Sequence, residues 1–192
     1  MKAARRGAGV ALLAAVVAMT TPVAPQPTLP QYALDPTHTF VHVELPLSGI
    51  STTLVRFDRQ QGTVNFDRAA RTGQVEITID TTSVSSGVRW LDARLRGAEV
   101  LDVERHPTAR FSAGPPAFNG ERLTEWRGEL TLRGTTQPLA LRAVRFDCYL
   151  SPLFRRQVCG GDCEAELQPA AVGINGMPLN VRLLVQVEGI PQ

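Results

Sequence analysis

Three histidines are the first residues whose types and spacing could do chemistry. His38 and His42 lie on one side of a predicted strand, but the extended chain between them separates the rings by about 13 Å, too far to bind one metal ion. His38 stands in the stretch DPTH, where we expect it to hydrogen-bond and fix the turn that begins the domain. His106 precedes Pro107 and is predicted to be a turn residue. The histidines therefore predict no metal site.

No motif of nucleophilic catalysis accompanies the histidines. The sequence lacks G-x-S-x-G, the turn that presents the nucleophile of an α/β-hydrolase. Asp35, Asp58, Asp67 and Asp80 stand near the ends of predicted strands, where acids ordinarily form turns. We therefore predict a protein that is not an enzyme and that requires no cofactor.

The three cysteines are Cys148, Cys159 and Cys163. In an exported chain this local grouping is typical of a disulfide that closes a short loop, most simply between Cys148 and Cys159. A zinc site is the alternative, but it would need a fourth ligand and a tighter pairing than C-x10-C-x3-C. One cysteine is left over, and its state stays open.

The first residues have the layout of a secretory signal peptide. Three cations precede an apolar run from Val10 to Met19, which is too short to span a bilayer. Small residues and prolines follow this run. We predict a periplasmic protein without stable membrane insertion, composed of a signal peptide at 1–24, a proline-rich linker at 25–31 and one domain at 32–192.

Removal of the leader changes the charge of the protein. Residues 1–31 hold three cations and no acid, so 20 cations against 18 acids become 17 against 18, a formal charge of −1. A near-neutral chain with dispersed arginines has no electrostatic footprint for binding nucleic acid or an anionic membrane. We therefore expect no nucleic-acid partner.

Most of the domain alternates between apolar and polar residues, which is the pattern of strands with one buried face. One segment, residues 88–107, instead places Leu91, Leu95 and Ala98 at helical spacing and predicts a single short helix. The pattern changes phase near Ala143, which indicates a bulge. The predicted strands span residues 39–45, 62–68, 73–84, 108–113, 124–134, 137–146 and 180–190.

Seven or eight such strands with short turns indicate an antiparallel barrel or sandwich, because each strand must hide one face. A barrel of about eight strands is either filled by side chains or just wide enough for one elongated ligand. The stretch GELTLRGTTQPL, residues 128–139, predicts a strand, a turn at Gly134–Thr136 and a second strand from Pro138. Leu130 and Leu132 are predicted to face the interior.

Three stretches of the domain resemble the YceI-like family of exported, lipocalin-like proteins. They are YALDPTHTFVHV at 32–43, LDARLRGAEVLDVERHPTARF at 91–111 and GELTLRGTTQPLAL at 128–141. The resemblance covers roughly residues 32–190. It implies an all-β, eight-stranded antiparallel barrel with one short inserted helix, enclosing an apolar tunnel for an isoprenoid-tailed, quinone-like lipid or a fatty amide.

The resemblance makes the inward-facing apolar residues the candidates for ligand binding. It also favours the disulfide between Cys148 and Cys159, because FDCYLSPLFRRQVCGGDC resembles the cysteine-bearing loop of one branch of the family. The candidate ligand-binding residues are Val41, Val43, Leu45, Phe57, Val64, Phe66, Val75, Ile77, Ile79, Trp90, Leu95, Phe111, Trp126, Leu130, Leu132, Val181, Leu183 and Val185.

The chain departs from the family pattern at two places. Arg94 stands where members usually carry a histidine, and PAAVG at 169–173 replaces a stretch similar to Arg-Ser-Asp-Phe-Gly. Two functions therefore stay open. The first is an exported carrier of a long-chain lipid, favoured by small inward residues such as Val41 and Val181. The second is a ligand-free barrel that acts through its surface in envelope stress response or electron transfer, and a homodimer is open for either.

Overall fold

The computed structural model describes residues 29–47, 50–177 and 180–192. The predicted signal peptide and most of the predicted linker lie outside the described residues. The described chain forms one α-helix, α1 (Arg89–Arg96), and two short 3₁₀ turns at Thr81–Ser83 and Pro169–Val172. Its twelve strands are β1 (Gln31–Leu34), β2 (Phe40–Leu47), β3 (Ser51–Phe57), β4 (Gln60–Asp67), β5 (Thr72–Asp80), β6 (Val84–Ser85), β7 (Thr108–Ala113), β8 (Ala117–Asn119), β9 (Arg122–Leu132), β10 (Thr135–Leu150), β11 (Gln157–Leu167) and β12 (Val181–Pro191).

The sheet closes on itself because β1 pairs with both β4 and β12. The ring then runs β1, β4, β5, β7, β9, β10, β11 and β12, with every pair antiparallel. Strand β2 also pairs with β12, along Arg182–Gln186, whereas β1 pairs with its end at Gly189–Pro191. The sheet then extends from β2 to β3 and from β3 to β6. The prediction of an eight-stranded antiparallel barrel with one helix is confirmed.

The helix α1 and the loop after it cover one end of the barrel, which we call the helix end. Leu95 is the buried residue of α1, and the predicted short helix is confirmed. The helix ends at Arg96 with Gly97 as its C-cap, so Ala98, which was predicted at helical spacing, lies beyond it. The Arg96 guanidinium donates to the carbonyl oxygens of Thr82 (3.0 Å) and Val84, beside β6. The opposite end, where the hairpin of β10 and β11 projects, is called the hairpin end.

The alternation pattern did not predict β1, β3, β8 and β11, and it covered β6 only at Val84. Apart from Leu167, the inward residues of β11 are small, and they include Gly161 and Ala165. A Cβ on Gly161 would lie 2.1 Å from the carbonyl oxygen of Arg145, so this close approach of β10 requires glycine. The predicted bulge is confirmed, because the register of β10 shifts between Ala143 and Arg145.

The turn between β9 and β10 contains two residues, Arg133 and Gly134, with φ angles of 52° and 72°. Thr135 already pairs with Leu132, so the predicted turn at Gly134–Thr136 is wrong. Positive φ at both central residues is the geometry whose twist matches a two-residue hairpin. Arginine rarely takes this conformation, so its side chain must be held in place.

The Arg133 guanidinium joins this turn to the cover of the helix end. It donates to the carbonyl oxygens of Val100 at 2.9 Å and Gly173 at 3.1 Å. It also donates to Ala98 at 3.1 Å and Glu99 at 3.3 Å. One side chain thus satisfies carbonyls from the loop after α1 and from the segment that follows the 3₁₀ turn at Pro169.

Replacement of this arginine, Arg133→Ala, is expected to destabilise the protein by about 1–2 kcal/mol, since charge-assisted hydrogen bonds to four carbonyls are lost from a half-buried site. Urea denaturation measures the free energy of unfolding. Arg127→Ala is the matched control on β9, because Arg127 is exposed and, within the described part of the chain, bonds only Glu125, at 2.5 Å. A loss equal to that of the control would contradict the anchoring role.

Candidate functional site

The barrel encloses an apolar cavity of about 100 Å³ at the helix end. Each of the described residues that line it has an apolar side chain. The predicted ligand-binding residues found in this wall are Val41, Val43, Leu45, Phe57, Ile79, Leu95, Leu130, Leu132, Val181 and Leu183. The sequence reading missed Val55, Val84, Val100, Leu101, Ala109, Leu167, Pro169, Ile174 and Met177.

A second cavity of about 50 Å³ lies at the hairpin end. The predicted residues in its wall are Val64, Phe66, Val75, Ile77, Phe111, Trp126 and Val185. Tyr32, Leu141, Phe146, Cys159, Cys163, Val187 and Gly189 complete it and were not predicted. Alternation within β10 and β11 would have identified Leu141, Cys159 and Cys163, since each is buried on the inner face.

Trp90 is the one predicted residue that the structure places elsewhere. Its side chain is 69% exposed and lines neither cavity, so the prediction that it faces inward is wrong. The reason is helical geometry. Trp90 lies five residues before the buried Leu95, about 140° around the axis of α1, and therefore faces solvent.

The two cavities differ in the chemistry of their walls. Phe57 is the single aromatic residue among the described residues around the larger cavity, whose other side chains are aliphatic. The smaller cavity is lined by an aromatic cluster, in which Phe66 packs edge-to-face on Trp126 at 6.0 Å and on Phe146 at 5.5 Å between ring centroids. The interior is thus aliphatic toward the helix end and aromatic toward the hairpin end.

The smaller cavity is close to solvent at the hairpin end. Tyr32, Phe66 and Cys159 line both this cavity and an open surface groove of about 530 Å³. These three side chains therefore form the partition between the interior and the groove. Burial, with a smaller contribution from the charge of Asp67, raises the pKa of the Tyr32 phenol above 10.0, so the hydroxyl is a neutral hydrogen-bonding group.

The cysteines lie in the same part of the barrel. Cys148 and Cys159 are directly opposite each other on β10 and β11 and form a disulfide, the pairing predicted from the sequence. Zinc binding by the three cysteines is excluded, because two of them are bonded to each other. Cys163 is a free, buried thiol whose pKa is raised by burial to about 11, and it is therefore protonated at neutral pH.

A cluster of polar side chains lies in the turn between β1 and β2. His38 Nδ1 hydrogen-bonds the Asp35 carboxylate at 2.8 Å, and the Thr37 backbone N–H and hydroxyl donate to its other oxygen at 2.8 and 2.7 Å. His38 therefore fixes the first turn, as predicted. Glu188 brings a third metal-ligating side chain, and single ligand atoms of the three residues lie within 4.8 Å of one another. Hydrogen bonds within the turn hold Asp35 and His38 together, and the Asp35 backbone N–H donates to the Glu188 carbonyl oxygen at 2.8 Å, which brings Glu188 beside them.

This turn makes stability depend on pH. Burial alone would raise the pKa of Asp35, but the hydrogen bonds from His38 and Thr37 outweigh it and hold that pKa below 3.8. The hydrogen bond to Asp35, and then its charge, raise the pKa of His38 above 6.5. A raised histidine pKa stabilises the folded state fully below pH 6.5, and this contribution is lost as pH rises through the folded value.

We therefore expect the difference in thermal stability between wild type and His38→Gln to be larger at about pH 5.5 than at about pH 8. The variant is needed because a second histidine also makes stability depend on pH. Burial, and then the charge of Arg56, lower the pKa of His42, so its contribution to stability changes with pH in the opposite direction. The difference between wild type and His38→Gln isolates the contribution of His38. Thermal melts of both proteins across this range provide the measurement. A difference that stays constant with pH would contradict the assignment to His38.

No helix in the described part of the chain is long and apolar enough to cross a membrane. The architecture is a closed antiparallel barrel with a dry interior, one end covered by a helix and the other lined by aromatic side chains. These features define a lipocalin-like β-barrel. The chain belongs to the YceI-like family, whose domain matches residues 32–188.

A relative of similar sequence supports this membership, and two solved structures share the fold. A UPF0312 protein of Pseudomonas aeruginosa is 30% identical over 159 residues, which cover 81% of this chain and 83% of the relative. The crystal structure of Burkholderia cenocepacia BcnA is similar with a TM-score of 0.71 and 17% identity, covering 82% of this chain and 99% of that one. A polyisoprenoid binding domain from Saccharophagus degradans is similar with a TM-score of 0.61 and 14% identity, covering 84% and 98%.

Proposed function

We propose that this protein binds a long-chain amphiphile in its barrel and carries or sequesters it in the periplasm after export. The ligand is an isoprenoid-tailed, quinone-like lipid or a fatty amide. The observation that carries the proposal is the pair of dry cavities within one closed barrel, without a charged side chain among the described residues that line them. An apolar chain needs only such a dry space, and burial of each methylene group contributes about 0.8 kcal/mol.

The size of the cavities determines how such a ligand would fit. Each is smaller than the roughly 150 Å³ cavity that accommodates one benzene molecule in an engineered protein. A tail therefore has to join both cavities and displace side chains between them. Phe111 stands at this boundary, because it lines the smaller cavity and pairs with Leu130, which lines the larger one. We expect a change in the Phe111 rotamer on binding.

The two walls favour one orientation of the ligand. An aliphatic tail suits the helix end, whereas a quinone ring suits the aromatic cluster of Phe66, Trp126 and Phe146. The Tyr32 hydroxyl at the partition supplies a hydrogen bond for a carbonyl headgroup. The headgroup would then lie at the hairpin end, next to the open groove.

Binding without catalysis is the role that the relatives favour. One structural neighbour is itself described as a polyisoprenoid binding domain, and the present chain has the same fold and a dry interior. Micromolar affinity corresponds to about 8 kcal/mol, and association costs at least about 4 kcal/mol, so about fifteen or more buried methylene groups are needed at about 0.8 kcal/mol each.

The second candidate is a barrel without a ligand that acts through its surface. The small cavity volumes favour it, as does the segment at 169–173 where the chain departs from its family. Pro169 lines the larger cavity and Val172 is 1% exposed, so this segment packs as a cover of the barrel. The test below separates the two candidates.

Trp126 provides the test, because the chain has two tryptophans and the other, Trp90, is exposed and lies outside both cavities. In Trp90→Phe, the remaining fluorescence comes from the buried Trp126. Titration with an isoprenoid quinone is expected to quench it saturably, with micromolar affinity and one ligand per chain by native mass spectrometry. Unchanged fluorescence and an apo mass with both quinone and fatty amide would support the ligand-free candidate instead.

A further inference from the structure

The hairpin that joins β10 to β11 exposes a group of large apolar side chains. Leu150, Leu153 and Phe154 are 73%, 81% and 39% exposed. They lie at the projecting tip of the hairpin, residues 149–157, which we call the tip hairpin. Exposed apolar side chains that cluster in this way, with a polar surround, mark an interaction surface.

The exposure of these side chains is built into the hairpin. Ser151 is buried, its backbone N–H donates to the Arg156 carbonyl at 2.9 Å, and its own carbonyl accepts from the Arg155 N–H at 2.8 Å. The Ser151 hydroxyl accepts from the Phe154 N–H at 3.3 Å. The disulfide between Cys148 and Cys159 closes the base. The turn is thus internally bonded, and its leucines point outward without a partner from the described barrel.

Charge accompanies the apolar group. Arg155 and Arg156 are both exposed and follow Phe154 directly, and residues 149–157 contain no acid. The overall charge of the exported chain is near zero, so this cationic group is a local feature of the tip hairpin. Arginines beside exposed leucine and phenylalanine form the combination that binds the interface of an anionic bilayer.

The tip hairpin also lies next to the region where the interior approaches solvent. Gln157 and Cys159 line the surface groove that shares its partition with the smaller cavity. Arg68, from the turn after β4, bonds Asp147 at the base of the hairpin at 2.6 Å and so joins the two sides of this end. A lipid surface bound by the tip hairpin would therefore face the hairpin end, where we place the headgroup of the ligand.

We propose that the tip hairpin docks the protein on an anionic lipid surface. Leu150, Leu153 and Phe154 enter the interface between headgroups and acyl chains, and Arg155 and Arg156 bind lipid phosphates. A bilayer fits better than a folded protein partner, because the apolar group is a small projecting tip and not a broad complementary face. The docking rests on the outer surface of the protein and does not require a ligand in the barrel.

The test is sedimentation of the exported protein with vesicles of phosphatidylcholine containing about one third phosphatidylglycerol, and with vesicles of phosphatidylcholine alone. We expect binding to the anionic vesicles that weakens as salt rises. Leu153→Ser/Phe154→Ser is expected to reduce the partition coefficient about tenfold or more. Arg155→Gln/Arg156→Gln is expected to reduce it by about tenfold, and only on anionic vesicles.

Matched controls are available at the helix end. Ile50→Ser/Trp90→Ser removes two exposed apolar side chains there, and Arg89→Gln/Arg94→Gln removes two exposed arginines from α1. Both controls are expected to bind vesicles like wild type. Quinone quenching of Trp126, measured with the tip variants in the Trp90→Phe background, checks that the barrel is intact, and it tests the proposed ligand separately.

The proposal is overturned if wild type stays in the supernatant with anionic vesicles, or if the controls lose as much binding as the tip variants. The proposal is likewise overturned if wild type does not bind vesicles but binds a soluble protein through the same residues. Loss of vesicle binding with intact quinone quenching supports docking, whatever the natural ligand is.

Discussion

Ala109→Phe is expected to weaken binding of an isoprenoid quinone about 100-fold or more. Ala109 is buried and lines the larger cavity, so a benzyl group at this position occupies space that the tail needs. Loss of about four methylene contacts at about 0.8 kcal/mol each corresponds to this factor. Quenching of Trp126 fluorescence, or native mass spectrometry, measures the affinity.

The matched control for this change is Ala140→Phe. Ala140 lies between the buried residues Leu139 and Leu141 of β10, so its side chain is on the outer face of the barrel. The inner substitution is expected to cost about 1–3 kcal/mol of stability by overpacking, and urea denaturation identifies the conditions where it is folded. Wild-type affinity in a folded Ala109→Phe protein would rule out the larger cavity as the site of the tail.

The double substitution Cys148→Ser/Cys159→Ser is expected to destabilise the protein by about 3 kcal/mol. The disulfide joins residues separated by 11 positions, and its removal lets the unfolded chain gain the entropy of that loop. Cys159 is also part of the partition between the interior and the groove. Urea denaturation of the oxidised proteins measures the free energy of unfolding.

Reductant provides the control for this prediction. Dithiothreitol is expected to lower the stability of wild type by a similar amount and to leave the double variant unchanged. Cys163 is buried and protonated, with a pKa of about 11, so the folded double variant should react with a thiol reagent only when it unfolds. Equal stability of reduced and oxidised wild type would contradict a stabilising role for the disulfide.

Much of the barrel is predictable from local patterns. Alternation in β5 and β12 predicts which residues are buried because side chains of a strand point alternately to its two faces. Seventeen of the eighteen candidate ligand-binding residues line one of the two cavities, and fifteen of them lie on strands that alternation predicted, the others being Phe57 on β3 and Leu95 on α1. The exception, Trp90, lies on a short helix, where one buried residue determines the orientation of the rest. Their role in binding stays a prediction.

Other features depend on contacts between distant parts of the chain. The positive φ of Arg133 is favoured by carbonyl groups of Val100 and Gly173, which no local pattern connects to it. Tyr32 and Phe146 complete the smaller cavity because the closing strand and the bulged strand reach the same end of the barrel. The division into two cavities is likewise a result of packing.

By itself, the sequence determined seven of the twelve described strands, the helix, the disulfide and membership of the YceI-like family. These properties follow from residue periodicity and from motifs that are local in the chain. The tertiary structure alone decided the closure of the barrel, the separation of aliphatic and aromatic walls, and the position of the tip hairpin beside the partition. The formal charge, +2 for the full chain and −1 without residues 1–31, does not reveal the pair of Arg155 and Arg156, because a sum over residues contains no distances. Binding surfaces depend on those distances, and only the folded chain sets them.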